Sequence, residues 1–409
     1  MKTCALTVLL LCILSTRALG QDLFTCVDGG VWSNAQCWYV EGTANPPQHR
    51  PPNPGETTYV TALQGEITLD TDASPGLLVI DGATGAGDFL QPGNTLQAAK
   101  EIIGPVLTFN QTGGTNSVGQ FIMTATYNLQ DGQLEANGET IQTVPLGPSG
   151  YSAGQFTQSG VTSEDTVNGV LIVGAGGPSY VLGIGASYDL QGGLLSVGYE
   201  GVGENSLGTL SQEGGENDAQ GLTLGALYGG SGIYDLNGGS LSVKGEEVVG
   251  QGGMGEFQQK GGRHTVGSSL ILGAQNGGSG TYTLEGTGTL YVGYDEGIGF
   301  LGLGSFTQNG ETRHTAAIIH IGRKGEYHLM DGALLGNIVN ANWFAFSGGH
   351  VSGDVINNVG AQFFVLGGGV RLMFGNFTNN GTLNCAIGTS LHVFGEFINN
   401  GKNDCVIIH

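Results

Sequence analysis

One phrase recurs through the middle of the chain: GTLSQEGG at 208–215, GIYDLNGG at 232–239, GEFQQKGG at 255–262, GTYTLEGT at 280–287, GSFTQNGE at 304–311 and GEYHLMDG at 325–332. It returns every 21 to 25 residues. Self-similarity at such a period marks a solenoid, in which each unit buries its apolar face only by stacking on its neighbours.

The phrase has a second beat. Phe257-x-Gln259, Phe306-x-Gln308, Phe109-x-Gln111 and Phe156-x-Gln158 alternate with Tyr-x-Leu units at Tyr127, Tyr188, Tyr234, Tyr282 and Tyr327, and Leu210 stands once where an aromatic is expected. On a strand, residues at i and i+2 share a face, so the aromatic and the Gln or Leu point inward together, while the intervening Asn110, Thr157, Ser211, Asp235, Thr283 or Thr307 faces water. Short runs closing on Gly follow: LIVG (171–174), LTLG (222–225), EVVG (247–250), LILG (270–273) and LYVG (290–293). They are too short for helices and lack a 3.6-residue period.

Two or three short strands with Gly-rich corners in 20–25 residues make one coil of a parallel β-helix, an all-β solenoid. Roughly fourteen coils at ~4.8 Å each give a rod about 65 Å long. A propeller with one double unit per blade is the competitor, but a blade needs four longer strands and only one such corner. The predicted boundaries are 1–20 for a signal peptide, 21–60 for an N-terminal cap, 61–340 for the main β-helix and 341–409 for C-terminal coils and cap. In the last part INNVG (356–360), FTNNG (377–381) and FINNG (397–401) predict tighter coils with Asn stacked at a corner.

Lys2, the apolar run Ala5–Leu14 and Ala18-Leu19-Gly20 read as a secretory signal. Its removal leaves Cys26, Cys37, Cys385 and Cys405, two close pairs at the two ends, and predicts the disulfides Cys26–Cys37 and Cys385–Cys405 as staples of the terminal coils. No CxxC or Cys/His cluster suggests a metal or other cofactor. The net charge of −22 argues against nucleic acid and anionic membranes as partners, and no later stretch is apolar enough for a membrane span.

Residues Trp32-Ser33-Asn34-Ala35, Trp38 and Pro54-Gly55-Glu56 resemble the opening motif of bacterial secreted β-helix proteins of the autotransporter-passenger and PEP-CTERM kind. The later GxYxLxGG and GxFxQxGG units are similar to their repeats. The resemblance implies a secreted, extracellular repeat rod.

The expected function is a structural or adhesive extracellular β-solenoid that meets polysaccharide, cell-surface or matrix components. The alternative is a polysaccharide lyase or glycoside hydrolase of pectate-lyase-like shape, which would need convergent carboxylates or a basic group beside a bound uronate. Asp70, Asp72, Asp81, Asp88, Glu246-Glu247 and Asp295-Glu296 are candidate acids, none in a distinctive motif. The inward Gln111, Gln158, Gln212, Gln259 and Gln308 are expected to satisfy backbone groups at corners. Six of the basic residues fall between 244 and 324, and the repeated Arg263-His264 and Arg313-His314, with Arg323 and Lys324, predict a face for an anionic glycan that binds more tightly when the histidines are charged. Asn110, Asn376 and Asn380 begin N-x-[ST] sequons, candidate N-glycosylation sites in a eukaryotic secretory route.

Overall fold

The computed structural model describes residues 30–38, 40, 49–61, 65–81, 87–105, 107–145, 151–176 and 184–409. They form a parallel β-solenoid of about 15 turns, without an α-helix among the described residues. The predicted signal peptide and Cys26 lie outside the described residues. Cys37 is disulfide-bonded, and Cys385 is joined to Cys405 across a Cα separation of 4.9 Å.

One coil shows how the sequence builds three faces. Met254–Gln259 forms the first, Arg263–Val266 the second and Leu270–Leu272 the third. Each pairs in parallel with the matching strand of the next coil: Phe257 with Tyr282, His264 with Leu290, and Leu270 with Glu296. The LYVG run at 290–293 therefore belongs to the second face, not with LILG on the third. The second and third faces of that coil lie on one bent strand, Thr289–Ile298.

The aromatic column is buried as expected. Phe89, Phe109, Tyr127, Phe156 and Tyr188 stack with ring centroids 4.6 to 5.0 Å apart. Leu210 interrupts the stack, and it resumes from Tyr234 through Phe257, Tyr282, Phe306 and Tyr327 at 4.6 to 4.9 Å, then reaches Phe344 and Phe363. One strand spacing per coil sets this interval, and it is also a favourable distance for offset rings. At the N-terminal end Trp32 packs edge-on against Trp38 and Phe89, with the Trp38 indole N–H donating to the Trp32 carbonyl at 2.8 Å.

The corner between the third and first faces explains much of the glycine. Gly250 has φ +76°, and a Cβ on Gly280 would lie 2.0 Å from the Val249 carbonyl oxygen. Backbone passes against backbone there, and a side chain has nowhere to go.

In the C-terminal coils the Asn stack is present. The Asn340 amide donates to Asn357, Asn357 to Asn379 and Asn379 to Asn399, each at 2.8 Å. Each donor amide also reaches a backbone carbonyl, of Gln362, Thr382 and Lys402 respectively. The ladder thus begins at Asn340, one coil before the first NNG phrase.

Candidate functional site

The densest polar chemistry lies inside the rod. On the third face Glu101, Glu139, Glu200, Glu247 and Glu296 alternate with Phe121, Leu171, Leu222, Leu270 and Ile319, all pointing inward. On the second face Asn116, Asp165, Asn217, His264 and His314 alternate with leucines in the same way. Each second-face residue sits one coil beyond its Glu. All ten are buried, with at most 1% exposure.

These residues join the Gln and Tyr of the first face in five repeated sets. Tyr282 donates its hydroxyl to Gln259 Oε1 at 2.7 Å and meets His264 Nδ1 at 2.9 Å, while His264 Nε2 lies 2.8 Å from Glu247 Oε2, a short approach off the N–H axis. Gln308, Tyr327, His314 and Glu296 repeat it at 2.8, 2.9 and 2.8 Å. The imidazoles also stack on Phe257 and Phe306. In the set of Gln212, Tyr234, Asn217 and Glu200, the Asn217 amide donates to both Tyr234 and Glu200 at 3.0 Å. Gln111, Tyr127, Asn116 and Glu101 are arranged alike, with Asn116 donating to Glu101 at 3.0 Å. In the set with Gln158, Tyr188 and Glu139, Asp165 takes the middle place and accepts from Tyr188 at 2.8 Å.

The glutamine amides do what the sequence suggested. Gln259 donates to the carbonyls of Gly262 in its own coil and Thr289 in the next, and Gln158 likewise to Ser163 and Leu194. Their carbonyl oxygens await a donor from above, which a tyrosine provides and a phenylalanine cannot. Gln91 shows the exception: Phe109 follows it, and its Oε1 has no partner.

Burial governs the electrostatics. Desolvation lifts Glu101 to about 7 against the opposing hydrogen bond from Asn116, and Glu200 to about 7 against that from Asn217. It pushes the Tyr127, Tyr188, Tyr234, Tyr282 and Tyr327 phenols up as well, and neighbouring carboxylates add to it.

The predicted Arg-His face is corrected by this geometry. Residues adjacent on a strand point to opposite sides, so His264 and His314 turn inward with zero exposure while Arg263 and Arg313 stay outside. The arginines do lie two coils apart in one column, with Thr289 between them. Arg323 and Lys324 are exposed, and the Lys324 ammonium donates to the Leu301 carbonyl at 2.6 Å across the corner loops. Of the candidate acids, Glu247 and Glu296 are internal, whereas Glu246 and Asp295 are exposed. Asp70 and Asp72 accept from Ser33 and from the Thr95 backbone, and the Asp81 side chain lies outside the described residues. Among the sequon asparagines, Asn376 is exposed; Asn110 and Asn380 are half-buried and accept from Asn128 and Asn400. No cluster of three or more His, Cys, Asp or Glu able to hold a metal occurs among the described residues.

On the outer surface an open groove of about 270 Å³ is lined by Tyr199, Gln220, Gly221, Thr223, Glu246, Val248 and Gln251. The Tyr199 ring lies over Gly221, where a Cβ would come within 3.1 Å of it, and its hydroxyl bonds to Thr223. Ring, amides and carboxylate are groups that engage hydroxyl-rich ligands.

Neither a family model, nor a curated protein, nor a solved structure matches the chain, so the motif resemblance extends to the solenoid architecture and no further.

Proposed function

We propose that the chain is a secreted structural or adhesive rod of the extracellular space, with glycans as contacts. The observation that carries this reading is where the convergent acids lie: Glu247, Glu296 and their counterparts meet their partners at no more than 1% exposure, out of reach of any polymer. A glycoside hydrolase needs such carboxylates flanking an accessible bond.

The outward faces support the same reading. On the third face Val79, Ile102, Ile122, Ile172, Val248, Ile271, Val339, Ile356 and Ile398 fall in one outward column, relieved by Thr, Gly and His320. Most of this column is part-exposed, although Thr223, Val248 and Val79 are covered (2%, 7% and 9% exposed), and a largely apolar stripe on a strongly acidic rod suits contact. The Tyr199 groove and the Arg263 and Arg313 column would give local polar contacts to a sugar chain.

Incubation of the secreted protein with neutral, uronate and sulfated polysaccharides tests this, scoring retention and new reducing or unsaturated ends. Retention without cleavage is the expected result. Cleavage would establish the enzyme reading, and neither retention nor cleavage would leave a purely structural rod.

A further inference from the structure

In two of the five buried sets an amide, of Asn116 or Asn217, donates to the glutamate, and in two more an imidazole nitrogen, of His264 or His314, lies 2.8 Å from it. The remaining set places Asp165 opposite Glu139. Two ionised carboxylates are acceptors only, and neither can bond the other. Glu139 Oε1 and Oε2 and Asp165 Oδ1 are buried without a partner, while Asp165 Oδ2 lies 2.8 Å from the Tyr188 hydroxyl, whose one proton is also claimed by Gln158 Oε1 at 2.7 Å. Among the described residues the titratable groups around the pair are Tyr127, Tyr188, Glu101 and Glu200, neutral or acidic, and no cation.

We propose that Glu139 and Asp165 share one proton at neutral pH, a carboxylic acid donating to a carboxylate where the other sets use Asn or His. The proton restores the missing donor and leaves the pair with a single buried charge. Burial lifts both groups, Asp165 to about 7, and each resists the ionisation of the other.

The position of the pair gives the proton a consequence. The strand that carries Glu139 runs on into the hairpin in which Thr143–Pro145 pairs antiparallel with Tyr151–Ala153, an excursion from the parallel coil. The strand that carries Asp165 slips register between Val167 and Val170 and again between Val173 and Ala175. Loss of the shared proton would leave two negative charges facing each other in a dry interior, beneath strands that depart from the regular coil. The solenoid therefore holds an alkaline-sensitive joint at these two coils, since coils in such a fold contact only their neighbours and open locally.

Hydrogen exchange from pH 5 to pH 9, corrected for the intrinsic exchange rate, tests the proposal on the full secreted chain. In the wild type the opening constant of residues 139–173 should rise by about tenfold per pH unit once the pair begins to lose its shared proton. Asp165→Asn, which installs the amide found at 116 and 217, should flatten that rise and leave the coils around Glu200 unchanged. Glu139→Gln should do the same and serves if the first variant does not fold. A pH-independent opening constant in the wild type, or greater opening in both variants at pH 8, would overturn the proposal. So would a loss of protection on adding EDTA that calcium reverses, because a bound cation would then hold the pair together.

Discussion

The Tyr282 hydroxyl donates to Oε1 of Gln259, 2.7 Å away in the preceding coil. This one bond explains why Phe-x-Gln and Tyr-x-Leu units alternate. The Gln spends its amide on two corner carbonyls and leaves its oxygen for the next coil, and the Tyr-x-Leu unit supplies the phenol and no second amide.

Tyr282→Phe should therefore cost about 1–3 kcal/mol, because it leaves Gln259 Oε1 and His264 Nδ1 without their partner in a dry interior. Phe109→Tyr should have the opposite sign and stabilise by about 0.5–1.5 kcal/mol, since it offers a donor to the unpartnered Gln91 Oε1. Chemical denaturation of the two variants, compared at one pH, checks both signs.

Much of this was legible in the sequence, and the reason is that the first face carries both the strongest period and the largest side chains. The aromatic column, the Gln amides and the C-terminal Asn ladder all follow from residues at i and i+2 repeated once per coil. The glutamate spine was written in a weaker dialect. Glu101-Ile-Ile-Gly104, Glu200-Gly-Val-Gly203, Glu247-Val-Val-Gly250 and Glu296-Gly-Ile-Gly299 share E-x-[IV]-G, and they stand where LIVG, LTLG and LILG stand in alternate coils. A charged residue at an apolar strand position reads as a solvated edge unless its partner is known. The partners, Asn116, Asn217, His264 and His314, lie 11 to 18 residues from the tyrosines or glutamates they meet, on a different face. Reading Arg263-His264 as a surface pair failed for the same reason: a two-residue phrase says nothing about which of its members faces inward.

Gly280→Ala should disrupt the rod locally. Its Cβ would stand 2.0 Å from the Val249 carbonyl oxygen at the corner, and backbone cannot yield as a flexible side chain can. The cost should reach or exceed the roughly 1–3 kcal/mol typical of overpacking. Gly93→Ala is the control, with no atom within 4 Å of its added Cβ, and should be neutral to slightly stabilising. Thermal unfolding of both variants distinguishes steric exclusion from a general effect of losing glycine.

Glu200 predicts a pH dependence with a definite sign. Burial raises it to about 7 in the folded protein, above its ordinary value of 4.5, so the folded chain holds a proton that the unfolded chain has released. Its stabilising effect is complete below pH ~4.5 and is lost as the pH rises through about 7. The loss is on the order of 3 kcal/mol, from roughly 2.5 units at 1.36 kcal/mol each. Glu200→Gln keeps an acceptor for Asn217 and removes the titration, so its unfolding midpoint should vary less between pH 5 and pH 8 than that of the wild type.

The disulfide at the C-terminal end should act on the last coils alone. Cys385 and Cys405 close a 20-residue loop between consecutive coils, since Cys385 ends the strand Thr382–Cys385 and this strand pairs with Lys402–Asn403. Cross-linking a loop of that size removes about 3 kcal/mol of unfolded-state freedom. Among the described residues the strand Val406–Ile408 pairs with Thr389–Val393 alone, and Val406 and Ile408 are exposed, so without the bridge little holds it down. In a stack of coils an end frays before the middle, because it has a neighbour on one side only. Cys405→Ser should therefore raise hydrogen exchange in residues 389–409 by two orders of magnitude or so, the equivalent of about 3 kcal/mol. Protection around Tyr234–Tyr327 should stay unchanged, and a loss of protection spreading through that region would mean that the rod unfolds as one unit and that its end is not a separate cap.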